Sequence, residues 1–150
     1  MSDLVAFLSA RLDEREAAAR ALGDPDWGMR PWQVEECAGD GASGCPCIVY
    51  QGEYKPVDQP QVPTIQYIAD GEAPEYAAHI ARYDPARVLR EVEAGRNILA
   101  RYEDCLARQE DQDYPYAPAV EQAREYEDFV LPNLAAVDSD HPDYDPEWRP

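Results

Sequence analysis

The feature that most limits what this chain can fold into begins at Asp84-Pro85. A carboxylate able to cap a helix is followed there by proline at the first helical position. Val88, Val92, Gly95, Leu99, Tyr102 and Leu106 then follow in 4-3-4-3-4 steps, a heptad-like apolar seam. The spacing predicts a long helix with one continuous stripe to bury. Gly95 on that stripe costs ~1 kcal/mol in helix propensity relative to alanine, so it marks a close crossing of another element. The seam is expected to pack inside the chain, against the N-terminal helix and the sheet. A two-fold dimer would bring two strongly acidic chains together, so a monomer is expected.

The remaining segments are shorter. Leu4, Leu8, Leu12, Arg15, Ala19 and Leu22 recur at helical spacing from Asp3 onward, with Val5 and Phe7 widening the stripe. Arg11, Asp13, Glu14 and Arg20 are assigned to the opposite, solvent face. Gly23 and Pro25 end this helix. Three runs have strand character: 31–37, 45–50 and 62–69, joined by loops holding Gly39, Gly41 and Gly44, then Gly52, Pro56 and Pro60. An antiparallel meander is the economical arrangement, and a sheet this small has to lean on a helix. Pro74 opens a short helix ending near Tyr83, and a last helix spans about 118–131, where Pro132 stops or kinks it. Residues 138–150 form a proline-rich extended tail. The expectation is a single α+β domain over 1–150: an N-terminal helix, a three-stranded antiparallel sheet, two or three C-terminal helices and a docked tail.

Charge excludes several function classes. Acidic residues number 31 against 13 basic ones, for a formal charge of −18. Direct binding of nucleic acid or of an anionic membrane surface is therefore not expected. No apolar run approaches the ~20 residues of a membrane span, and the start lacks the basic and apolar parts of an export signal, so a cytoplasmic location is expected. Lys55 is the only lysine. Arginine-rich, lysine-poor usage of this kind fits a GC-rich genome or a salt-adapted proteome.

Chemistry-bearing residues are few. Cys37, Cys45 and Cys47 give C-x7-C-x-C, and His79 could complete a zinc set, but paired C-x2–4-C knuckles are missing. In a reducing compartment such cysteines are small apolar residues, so no cofactor and no metal are expected. There is no nucleophile elbow, no phosphate-binding loop and no dinucleotide fingerprint. An enzyme using His79 and the cysteines, metal-dependent or hydrolytic, is the alternative from that class. Arg82 and Arg87, with Arg90 and Arg101, form the one basic stretch, able to grip an anion or to pair with neighbouring acids. Glu121, Glu125 and Asp128 share a helix face that could imitate a row of phosphates toward a basic protein, although solubility and genome bias are the preferred account of these acids. Tyr144 and Trp148, four apart among prolines, either dock the tail on its own domain or anchor a partner; docking in cis is preferred.

Three segments carry a family likeness: 3–14 (Asp3-Leu4-Val5-Ala6-Phe7 onward), His79-Ile80-Ala81-Arg82-Tyr83-Asp84-Pro85 through Val92, and His141-Pro142-Asp143-Tyr144 through Pro150. In these the chain resembles an uncharacterised family of small acidic proteins of actinomycetes and their phages. Tyr83 stands where many of those relatives carry histidine, which weakens a family-wide catalytic or metal histidine at that place. The resemblance implies no activity, cofactor or catalytic residue. A non-enzymatic protein that works by binding another protein is the expected function, with Tyr144, Trp148, Arg82 and Arg87 as candidate contact residues. The alternative within binding proteins is a DNA-mimicking inhibitor.

Overall fold

The computed structural model describes residues 2–22, 30–35, 47–53, 64–110 and 116–150. Helix α1 (Ser2–Ala21) is followed by strands β1 (Trp32–Glu35), β2 (Cys47–Glu53) and β3 (Thr64–Glu72). Helices α2 (Pro74–Arg82), α3 (Pro85–Glu110) and α4 (Tyr116–Glu125) come next. A π-helical turn (Tyr126–Val130) leads into α5 (Leu131–Ala135), and short 3-10 turns occupy Ala136–Asp138 and Pro146–Trp148. This is the expected order of helix, antiparallel sheet and C-terminal helices. The chain divides into two compact units, residues 18–89 and residues 1–17 with 90–150.

In the first of these units the sheet order is β1-β2-β3, antiparallel throughout. Val49 at the centre of β2 is fully buried, and Trp32, Val34, Ile68 and Ala69 pack around it with Ala77, Ile80 and Ala81 of α2. The cover over the sheet, which the sequence assigns to the long helix, is supplied here by α2. Ile68 and Ala69 are neighbours in sequence, yet both join this cluster. The register explains it: Val49 faces Ala69 and Tyr50 faces Tyr67, so Ile68 is an extra residue that breaks the alternation. Strand β2 also runs on to Glu53, past the 45–50 expected, taking in the buried Gln51. It carries Gly52 at φ 123°, a conformation that side chains rarely tolerate.

Asp84 starts α3 as its sequence predicts. Its buried side chain accepts from the Arg87 amide at 2.6 Å, and its carbonyl accepts from the Val88 amide at 3.1 Å.

In the other unit, α1 and the body of α3 cross at Gly95. A Cβ built there would lie 2.8 Å from Leu12 Cδ2, so the glycine marks a close approach, as its place on the seam predicts. Arg96 clasps α1 beside the crossing, donating to Glu16 at 2.5 Å and Asp13 at 2.7 Å. These carboxylates, Glu16 foremost, push the guanidinium pKa up. Val92, Leu99, Tyr102 and Cys105 are buried along α3, whereas Leu106 is exposed. The sequence seam ends on Leu106, and the structure ends it on Cys105. Cys105 is buried because α4 packs on that side of the helix end, where its thiol lies 3.2 Å from Gln122 Oε1.

Three further expectations are corrected. Arg11, assigned to the solvent face, is buried, its guanidinium carbon 5.2 Å from the centre of the Phe7 ring. Leu22, placed on the apolar stripe, is exposed. Of the two outcomes expected of Pro132, a stop is not what occurs: the proline sits buried inside α5. The widened turn before it makes room: the Leu131 amide reaches back five residues to the Tyr126 carbonyl. Asn133 Nδ2 donates to the Phe129 carbonyl at 2.6 Å, occupying an acceptor close to the proline.

Candidate functional site

The residues singled out by sequence fall into two groups. The first lies in the unit of residues 18–89, on the outer side of α2. This helix buries Ala77 against the sheet and half-buries Ile80 and Ala81, which leaves positions 76, 79 and 83 pointing away. Tyr76 is 63% exposed and Tyr83 47% exposed, and His79 is exposed between them. The His79 and Tyr83 rings lie 4.9 Å apart at 49°. Arg87 lays its guanidinium over the other partner of that pair, 4.7 Å from the Tyr83 ring centre, and its Nη1 donates to the Arg82 carbonyl at 3.4 Å. Arg82, at the C-terminal turn of α2, is exposed. The structure therefore joins Arg82, Arg87 and His79 around Tyr83. The sequence reading assigns neither Tyr76 nor Tyr83 a contact role. Their 76-79-83 spacing on a helix is the signal that could have found them.

The second group lies in the other unit, where the C-terminal tail meets α1. Phe7 is the hub: the ring of Trp148 lies 5.1 Å away, and those of Tyr144 and His141 lie 5.9 Å away. Tyr144 and Trp148 also meet edge to face at 5.8 Å. Such pairs add about 0.5–1.5 kcal/mol each beyond the area they bury. Asp145 accepts from the Glu147 amide at 2.9 Å and fixes the turn that carries Trp148. The tail is thus docked in cis through the two aromatic residues, with Tyr144 buried and Trp148 half-buried.

The cysteine proposal finds little geometry. Cys37 and Cys45 lie outside the described residues, and Cys47 opens β2, paired in register with Glu72. Cys105 is a buried free thiol, 3.2 Å from Gln122 Oε1. Among the described residues, no three histidine, cysteine or acidic side chains are grouped so as to hold a metal ion. No helix among them is long and apolar enough to cross a membrane. Of the remaining arginines in the basic stretch, Arg101 donates to Asp104 and Gln122.

Comparison with curated proteins and with solved structures gives no significant match. The sequence profile of a family of unknown function, DUF6221, matches residues 1–150, and the chain belongs to that family.

Proposed function

We propose that this is a non-enzymatic cytosolic protein that acts by binding another protein, and that the outer side of α2 is its contact surface. The observation that carries this reading is the exposed row Tyr76, His79 and Tyr83, with Arg87 stacked on Tyr83. Tyrosine and arginine are the residue types over-represented among interface anchors. Tyr83 and Arg87 already hold one another, so less side-chain freedom remains to be lost on association. The surface also lies where the chain departs from its general acidity, since residues 76–89 hold two arginines against one acid. The matching patch on the partner is then apolar with a carboxylate at its rim. In this reading Tyr144 and Trp148 hold the tail to α1, and contact with the partner is left to Arg82, Arg87 and the α2 aromatics. The buried free thiol of Cys105 fits a reducing compartment. The arginine-rich, lysine-poor composition fits an actinomycete or one of its phages as the source.

The test compares immobilised parent protein with a Tyr76→Ala/Tyr83→Ala variant in extract of the source organism. Both side chains are exposed, so the variant should keep its circular dichroism spectrum and lose less than about 1 kcal/mol of stability. A protein retained by the parent and lost by the variant supports the reading. Equal retention by both, or none by the parent, sinks it. Release of a captured basic protein by duplex DNA would favour the DNA-mimic alternative.

A further inference from the structure

A second feature, independent of the α2 surface, lies at the crossing of α1 and α3. Within the unit of residues 1–17 and 90–150 there is a cavity of about 210 Å³. Leu8, Leu12, Ile98, Leu99 and Leu134 supply most of its wall, and Gly95 helps to shape it by lacking a side chain. It is somewhat larger than the ~150 Å³ apolar cavity that suffices to hold benzene. Arg11 forms part of the same wall.

The state of Arg11 gives the cavity a chemical preference. Its side chain is only 8% exposed, and one nitrogen, Nη2, donates to Glu14 Oε1 at 2.7 Å. Nε and Nη1 are buried with no hydrogen-bond partner among the described residues. A buried guanidinium with donors left open is costly unless something accepts from them. The other charges at the cavity are already engaged. Arg15 Nη2 donates to both oxygens of Asp138, at 2.6 and 2.7 Å, and Glu91 has interactions of its own.

We propose that this cavity binds a small monocarboxylic acid with an aromatic or short alkyl body, its carboxylate accepting from Arg11 and its body lying among the leucines. A single negative charge is specified for two reasons. Arg11, already paired with Glu14, has two donors left to offer, and Asp138 and Glu91 in the same wall oppose a doubly charged phosphate.

The test is titration followed by amide NMR, using phenylacetate and hexanoate, with phenylacetamide and inorganic phosphate as controls. The expected result is saturable binding of the acids, with shifts centred on Gly95 and Ile98, at least tenfold tighter than the amide. Arg11→Met should bring acid binding down to the level of the amide. Leu134→Trp, which fills the cavity and leaves Arg11 in place, should lose acid and amide together. That second variant keeps the question open to refutation if Arg11→Met does not fold. Failure of both acids to bind overturns the proposal, as does equal binding of acid and amide, tighter binding of phosphate, or shifts that map elsewhere.

Discussion

Tyr102 is a side chain whose ionisation is decided by its place in the fold. Its hydroxyl donates to Glu127 Oε1 at 2.6 Å, and burial first, then that carboxylate, pushes its pKa well above the ordinary tyrosine value. A raised folded-state pKa means that the native protein holds this proton more tightly than the unfolded chain does. The associated stability is present below about pH 10 and is lost as pH rises beyond it. Tyr102→Phe should therefore cost about 1.5 kcal/mol at neutral pH and flatten the alkaline decline, read by urea denaturation across the alkaline range. A decline as steep in the variant as in the parent would show that the phenol is not its source. Single residues differ in how legible they are. Asp84 and Gly95 could be read because a cap and a missing Cβ act through the local backbone. Arg11 could not, because its burial depends on Phe7 one turn away offering a ring face, and a helical wheel counts arginine as solvent-facing.

Elements were legible where one period dominated and obscure where a local defect reset it. The 26-residue α3 and the 20-residue α1 follow from spacing alone. The extra residue in β3 and the widened turn before Pro132 do not, since both are solutions to packing that appear only with their partners in place. The crossing of α1 and α3 lends itself to measurement. Leu99 is 6% exposed, and Leu99→Ala should cost ~2–5 kcal/mol by urea denaturation. Leu99→Asp should abolish folding; a folded monomer from a dimeric parent would instead make the seam an interface between subunits. Gly95→Ala has an unusual sign. The added methyl meets the far end of Leu12, a movable side chain with a cavity beside it. The gain in helix propensity should then prevail, raising stability by up to ~1 kcal/mol, whereas a loss above that amount would show Leu12 to be fixed.

At the scale of the molecule, α1 and α3 each supply residues to both compact units. We expect one cooperative unfolding event, in which amide signals of β2 and of α3 fade at the same temperature; separate midpoints would make the units independent domains. A monomer is expected by sedimentation, since association would bring two −18 chains together. The ring cluster that joins the tail to Phe7 has a consequence for how such a chain comes off the ribosome. Arg15 and Asp138, 123 positions apart, are tied as well, so α1 is covered by residues translated long after it. Contacts of that separation form only after a large loop has closed. Helix α1 is thus synthesised well before the segment that covers it. In the growing chain Phe7 stays open to water and to any holdase nearby until His141, Tyr144 and Trp148 have cleared the exit tunnel.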